Sequence, residues 1–220
     1  MRKYIITGAQ GCGKGTQAAL LASAHDLVHI SIGDIFRRHL DRHTKLGARI
    51  RRIVTEGQLV PDELVTELVR QRLDEHDWNH GFILDGFPRN VPQARFFLEH
   101  YDLDAVVLID LPDAVAVERI LARRICSGCC RDYNVLFKPP AAAETCDACG
   151  RKLMRRADDN EDAIRARLRD FHELTAPALE RFRERTAVVT VDGTGAPLEI
   201  HQEICATLGL RAPLDVATTC

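Results

Sequence analysis

Five short runs of this chain are apolar almost throughout: Tyr4 to Thr7, Val28 to Ser31, Phe82 to Leu84, Ala105 to Ile109 and Ala187 to Val191. Unbroken β-branched and aliphatic runs predict strands covered on both faces, because a half-wet strand would alternate apolar with polar. Between them the apolar positions fall at helical spacing. From Pro61 to His76, Leu64, Val65, Leu68, Val69 and Leu73 form one stripe, with Pro61 expected in the first turn, and Thr16 to Ala24 reads as a second helix. Strands alternating with helices predict an α/β fold: a three-layer sandwich with a five-stranded parallel sheet and right-handed crossovers.

Two segments break the rhythm. Residues 32–60 hold a short arginine-rich helical piece without a strand, and residues 125–155 hold five cysteines, a Pro139-Pro140 pair and little helical periodicity. Both are expected as insertions at the carboxyl edge of the sheet, where ligands bind in open α/β folds. The tail after Gly209 carries no such pattern and is expected to be loose.

Composition narrows the partners. With 220 residues, 45% of them hydrophobic, the chain can bury a real core, and a formal net charge of −2 argues against general affinity for nucleic acid or anionic membrane. Of the 30 basic residues 25 are arginine, whose planar fork suits phosphate, although a GC-rich genome gives the same bias, so placement decides. No run reaches the roughly 18 apolar residues of a membrane span and no cleavable leader pattern opens the chain, so a cytoplasmic protein is expected.

The chemistry begins directly after the first strand, at G-A-Q-G-C-G-K-G-T-Q from Gly8. Glycines at 8, 11, 13 and 15 let backbone N–H groups turn onto a phosphate, the following helix adds its positive end, and Lys14 can reach the outer phosphate oxygens. The pattern departs from G-x-x-x-x-G-K-[ST], because Gly15 follows Lys14 and the hydroxyl arrives only at Thr16. Gly15 is expected to keep the backbone bare where two phosphate chains crowd, with Thr16 lending its hydroxyl one step later. Asp85 closes the strand Phe82 to Leu84 beside this loop, where a carboxylate can hold Mg²⁺ through water; an ordinary Asp-Gly turn is the plain alternative. Arg37 and Arg89 come from separate segments that converge on the same edge and could clamp a second phosphate. Gln93 offers both a donor and an acceptor, matching N1 and N6 of adenine.

Cys126-x₂-Cys129-x₁₆-Cys146-x₂-Cys149 is the spacing of two facing knuckles, a four-thiolate set that suits structural Zn²⁺. Cys130 is redundant in that geometry and is expected not to be a ligand. Cys12 reads as a small residue tolerated in the loop, and Cys205 and Cys220 carry no readable role.

Taken together the motifs resemble the nucleoside monophosphate kinases, and adenylate kinases of the long-lid, zinc-binding type in particular. The likeness rests on the loop, on Ile30-Ser31-Ile32-Gly33-Asp34-Ile35-Phe36-Arg37, on Gly57-Gln58-Leu59-Val60-Pro61-Asp62, and on GFILDGFPRNVPQA from Gly81 to Ala94. It continues through Arg119, Arg123, Arg124, Arg156-Ala157-Asp158-Asp159, Arg167, Thr175-Ala176-Pro177 and Val191-Asp192-Gly193-Thr194. The resemblance implies a P-loop NTPase-type core (1–31, 61–122 and 160–220), a nucleoside-monophosphate-binding insertion (32–60) and a lid with the zinc site (123–159). It implies reversible transfer from ATP to AMP giving two ADP, with Mg²⁺, by a monomer.

For ATP it implies contacts from Gly11, Cys12, Gly13, Lys14, Gly15, Thr16, Arg119, Arg123, Asp132, Tyr133 and Gly195, with Arg119 stacked on the adenine. For AMP it implies Ile32, Arg37, Gln58, Leu59, Val60, Gly86, Phe87, Pro88, Arg89, Gln93, Arg156 and Arg167. Catalysis falls to Lys14, Asp85, Arg89, Arg123, Arg156 and Arg167, with Asp158 and Asp159 pairing the arginines. Ile32 stands where adenylate members usually carry threonine, which leaves GMP, CMP or UMP open as acceptors. A zinc-ribbon module for RNA is the reading from another class; residues 126–150 hold one Lys, one Tyr and one Phe, too few for such a surface.

Overall fold

The computed structural model describes residues 1–156 and 158–211; Ala157, Cys220 and the tail read above as loose lie outside them, apart from the tail's first two residues. The five apolar runs are strands: β1 (Lys3–Gly8), β2 (Leu27–Ser31), β3 (Gly81–Asp85), β4 (Ala105–Asp110) and, last in the chain, β8 (Ala187–Asp192). They pair in parallel in the order β2-β3-β1-β4-β8, so β1 lies at the centre with its neighbours wound to both sides. Successive residues of a strand point to opposite faces, and two cores result. Ile6, Ile83, Val107 and Ile109 pack with Leu21 and Ile204 on one side. Ile5, Phe82, Leu84 and Val106 pack with Phe97 and Phe182 on the other. That double burial is why β1, β3 and β4 lack polar alternation; β8, expected to be covered on both faces, lies at the sheet edge with only Val191 of its six residues buried.

The helices that carry functional side chains start at defined caps. Helix α1 (Lys14–His25) opens at Gly13. Ser31 accepts from the Asp34 amide at the start of α2 (Ile32–Asp41), Asn90 from Gln93 at the start of α5 (Val91–His100), and Asn160 from Ala163 at the start of α7 (Glu161–Asp170). Each cap satisfies a first-turn amide and fixes where the chain leaves a strand or loop for the helix. Helix α4 begins at Asp62 and ends at Asp74, with Pro61 at the cap position in extended geometry, one step before the first turn where it was expected. Helix α6 (Asp113–Leu121) leads out of β4.

Both interruptions of the rhythm have more structure than their sequences announce. Residues 32–60 form two helices, α2 and α3 (Lys45–Thr55). The cysteine segment forms an antiparallel three-stranded sheet, β5 (Arg123–Cys126) between β6 (Asp132–Asn134) and β7 (Leu153–Met154). Its core is four residues, Cys126, Tyr133, Cys146 and Leu153, too few to hold it by apolar burial alone. After α7 the chain passes through a π-turn (Phe171–Thr175) into α8 (Ala176–Arg183), and α9 (Pro197–Thr207) packs against α1.

Candidate functional site

The loop between β1 and α1 is built on left-handed glycines. Gly11 and Gly13 have φ of 89° and 94°, and a Cβ on Gly11 would strike the Ala116 carbonyl oxygen at 2.7 Å. Gly15, read above with the turning glycines, lies inside α1 with ordinary helical φ, so it contributes room and not an unusual turn. A Cβ built on it would sit 3.6 Å from Asp85 Oδ2, which places the loop directly over the end of β3. Lys14 folds its Nζ back onto the Ala9 carbonyl at 3.2 Å. Burial pushes its pKa down, and Arg89 and Arg123 add to that while Asp85 opposes it. Such an ammonium gains from an anion arriving beside it. Cys12 is fully buried and burial pushes its thiol up, which fits packing and not nucleophilic attack. Thr16 is exposed one step further along α1.

Asp85 is 8% exposed, and its Oδ1 has no hydrogen-bond partner among the described residues. His29 Nε2 approaches the other oxygen only to 3.7 Å. An orphaned, buried carboxylate oxygen beside the phosphate loop fits the hydrated Mg²⁺ that this position predicts.

Five arginines close around these two elements, and four of them rest on carboxylates. Arg37 pairs with Asp34, three residues back on α2. Arg123 grips both oxygens of Asp159, with Nε 2.9 Å from Oδ2. Arg156 reaches Asp132 at 2.6 Å, and Arg167 reaches Asp158 at 2.8 Å and the Val54 carbonyl at 3.1 Å. Arg89 instead donates Nε–H to the Gly86 carbonyl at 2.9 Å. The pairing of Asp158 and Asp159 matches the sequence reading. Lys14 feels Arg89 and Arg123, Arg89 feels Arg167, and Arg156 feels Arg123 and Arg37. These repulsions link all six cations into one cluster drawn from six segments of chain.

On the acceptor side, Ile32, Val60 and Phe87 belong to one buried apolar cluster, with Leu59 half-buried and Gln58 exposed beside them. Gly86 (φ 82°) precedes the cis Phe87-Pro88 bond, and Arg89 follows at once. Gln93 is 1% exposed and both ends of its amide are engaged: Nε2 donates to Asp62 at 2.7 Å and Oε1 accepts from the Arg89 amide at 2.8 Å.

In the cysteine segment, the Sγ atoms of Cys126, Cys129, Cys146 and Cys149 all lie within 4.8 Å of one another. The Tyr133 hydroxyl, with further amide contacts, brings Cys146 down to about 6. The Arg131 amide draws Cys129 down, but its fellow thiols and burial outweigh it and push it up to about 12. A thiolate set this close fits Zn²⁺. The Tyr133 ring is enclosed: it is 3% exposed, and its hydroxyl contacts Cys146 Sγ and accepts from the Asp147 amide. Arg119 donates to the carbonyls of Gly193 and Thr194, next to Gly195, and lies over the Phe137 ring at 5.1 Å.

Comparison with known proteins decides the family. A family model described as adenylate kinase matches residues 6–187. The chain belongs to the adenylate kinase family. It is 40% identical over 210 residues to an adenylate kinase of Clostridium tetani, covering 93% of this chain and 97% of the relative. It is 45% identical over 194 residues to one of Symbiobacterium thermophilum, covering 86% and 90%. The enzyme is therefore an adenylate kinase by family, a transferase that carries out ATP + AMP ⇌ 2 ADP and uses Mg²⁺ with the nucleotide.

Four residues of this adenylate kinase site carry no role in the sequence reading. Asp34 and Asp62 stand inside the quoted motifs and were legible there as candidates. His29 gives no signal, because a histidine in an apolar strand reads as core. Phe137 beneath Arg119 also gives none, since an isolated aromatic in a proline-rich loop has no period to place it.

Proposed function

We propose that the cationic cluster is the phosphoryl-transfer site, with ATP on the loop from Gly8 to Thr16 and AMP between α2 and the Gly86 to Gln93 segment. The supporting observation is that Lys14, Arg37, Arg89, Arg123, Arg156 and Arg167 are linked by mutual charge repulsion while, among the described residues, Asp34, Asp132, Asp158 and Asp159 pair with four of them directly. Two phosphate chains supply the anionic charge such a cluster lacks. In-line transfer needs no covalent intermediate and no general base, so positioning and charge carry the rate. Asp85 would hold Mg²⁺ through water, and the ion would neutralise charge on the phosphate oxygens. Lys14 and Arg123 draw the transferred phosphoryl from the donor side, and Arg89, Arg156 and Arg167 orient the acceptor phosphate.

The same reading divides the chain into a core (1–31, 61–122, 160–220), an AMP-binding insertion (32–60) and a lid (123–159). Arg119 and Arg123 enter the lid and Arg156 leaves it, so closure carries them onto the phosphates and shuts out water that would hydrolyse ATP. Arg119 would exchange the Phe137 ring for adenine or share adenine with it. Because the Tyr133 ring is enclosed, contact from Asp132 and Tyr133 would come through the main chain or the Asp132 carboxylate. Cys126, Cys129, Cys146 and Cys149 would hold Zn²⁺ as a structural ion, which requires the reducing conditions of a cytoplasm.

The test pairs an acceptor panel with single substitutions. With ATP and Mg²⁺, AMP should be phosphorylated far ahead of GMP, CMP and UMP. Arg123→Ala, Arg156→Ala and Arg167→Ala should each lower kcat by roughly 10²–10⁴-fold with the far-UV circular dichroism unchanged. Equal kcat in all three variants and the parent would overturn the assignment.

A further inference from the structure

The π-turn has a use that the site assignment leaves unexplained. Helical threonines usually hydrogen-bond the carbonyl four residues back in their own helix. Thr55, Thr66 and Thr207 do so here, donating to the carbonyls of Arg51, Asp62 and Glu203 at 2.8–2.9 Å. For Thr175 that partner would be the Phe171 carbonyl, whose amide partner in the π register is Ala176. Thr175 turns outward and donates its hydroxyl to the Arg89 carbonyl at 2.9 Å, across 86 residues of sequence. It is 2% exposed, so no water competes for that bond.

Arg89 is thereby held by the main chain on both sides. Its amide donates to Gln93 Oε1 at 2.8 Å and its carbonyl accepts from Thr175. The π-turn follows directly on α7, which carries Arg167, and Arg89 and Arg167 feel each other's charge. A widened turn at that point fixes one arginine relative to the other, in keeping with the frequency of π-turns at functional sites.

We infer that Thr175 is a positioning residue for phosphoryl transfer, which holds the Arg89 main chain so that its guanidinium meets the AMP phosphate at a fixed distance from Arg167. The inference rests on the reading of Arg89 as an acceptor-phosphate ligand. Misplacing such a group by about 1 Å can cost up to ~10²-fold in rate.

The test compares Thr175→Val, which keeps the shape and removes the donor, with Thr175→Ser, which keeps the donor, in steady-state kinetics with each substrate varied. Thr175→Val should raise KM for AMP and lower kcat, together roughly 10–100-fold in kcat/KM for AMP, with KM for ATP unchanged. Thr175→Ser should restore both parameters. Equal behaviour of the Val and Ser variants, or a loss shared equally by ATP and AMP, would overturn the inference. Should Thr175→Val not fold, Thr175→Cys, with its weak S–H donor, carries the same comparison. Arg89→Ala separates the two levels: if it leaves KM for AMP unchanged the ligand reading fails, whereas an impaired Arg89→Ala beside an unimpaired Thr175→Val removes only the role of Thr175.

Discussion

The Arg123 guanidinium spans both oxygens of Asp159, and the two residues stand at opposite ends of the cysteine segment, 36 positions apart. The Asp159 side chain is 1% exposed, against 20% for Arg123. The pair therefore ties the two ends of the cysteine segment together, and it holds one member of the cationic cluster in place. Removing one partner of a buried pair leaves the other charge uncompensated, at about 3–5 kcal/mol. Asp159→Ala is expected near the low end of that range, because the stranded arginine keeps some access to water. Urea unfolding should show a loss of about 3 kcal/mol, and kcat should fall as Arg123 loses its orientation. A stability change within experimental error would mean that the pair is not formed in solution.

The second lid-side carboxylate gives a pH signature. Burial raises the Asp158 pKa, but Arg167, through charge and a hydrogen bond, outweighs it and holds the carboxyl below its ordinary value. The unfolded carboxyl has a pKa of about 3.9, so the contribution is fully present above that value and is lost as pH falls through the lower folded one. The midpoint of acid unfolding should therefore move to higher pH in Asp158→Asn, with little change in stability at pH 7 beyond the lost pair. Identical acid titration curves for the two proteins would contradict it.

How much of this was legible in sequence depends on what holds each part. The sheet was legible because its central strands are buried on both faces: Ile5 and Ile6, or Val106 and Val107, serve opposite cores, so these strands run apolar without alternation. The lid was not, because β6 and β7 have three and two residues and are held by thiols, leaving no period to read. The sequence FHELT reads as plain helix, so the π-turn that frees the Thr175 hydroxyl shows only in the backbone. Lys14 and Asp85 lie within reach of each other's charge, and Arg89 links them to Arg167. What the motifs do not carry is the orientation of Tyr133 into the thiol cluster, which depends on packing across the small sheet.

The two knuckles make a further point about the extra cysteine. Cys149 is followed by Gly150 at φ 69°, and the equivalent position after Cys129 is Cys130 at φ 58°. A side chain in the left-handed region costs about 1 kcal/mol relative to glycine. Cys130→Gly should therefore raise stability by about 0.5–1 kcal/mol, or a Tm increase of about 1–4 °C, without changing metal content. Loss of bound zinc in this variant would identify Cys130 as a ligand and reverse the assignment.

Chelation should act on the lid before the core. Four buried residues cannot hold the segment 123–159, so removing the metal, by a strong chelator or by Cys146→Ser, should disorder it. The expected pattern is loss of one zinc per chain by metal analysis, a Tm lower by several degrees and a raised KM for ATP. Affinity for AMP should fall less than that for ATP, since Arg37, Arg89, Gln93 and Arg167 lie outside that segment and Arg156 alone of the acceptor contacts lies in it. Equal loss of both substrates would show that the segment supports the whole site.

The acceptor base raises the question of how Gln93 knows which way to face. An amide can rotate by half a turn at small cost, and the flipped form exchanges its donor and acceptor. Here the choice is imposed from outside. The Asp62 carboxylate can only accept, and it takes Nε2–H from Gln93 at 2.7 Å as well as Nδ2–H from Asn90 at 2.8 Å. The Arg89 amide can only donate, and it supplies Oε1. Flipping would break both bonds in a buried site and set like against like. The remaining N–H and lone pair of Gln93 then match N1 and the N6 amino group of adenine, while guanine, with O6 and N1–H, needs the flipped form. Asp62→Asn supplies a side chain able to donate as well as accept, and so removes one of the two constraints on the amide, leaving the Arg89 N–H to oppose the flip. Its kcat/KM with AMP should fall, and the ratio of AMP to GMP turnover should drop on the order of tenfold, the size of about one lost hydrogen bond. Gln93→Ala should lose AMP turnover without gaining GMP, which separates a released amide from a missing one. An unchanged AMP to GMP ratio in Asp62→Asn, with AMP turnover still dependent on Gln93, would show that base selection rests on the apolar wall of Ile32 and Val60 instead.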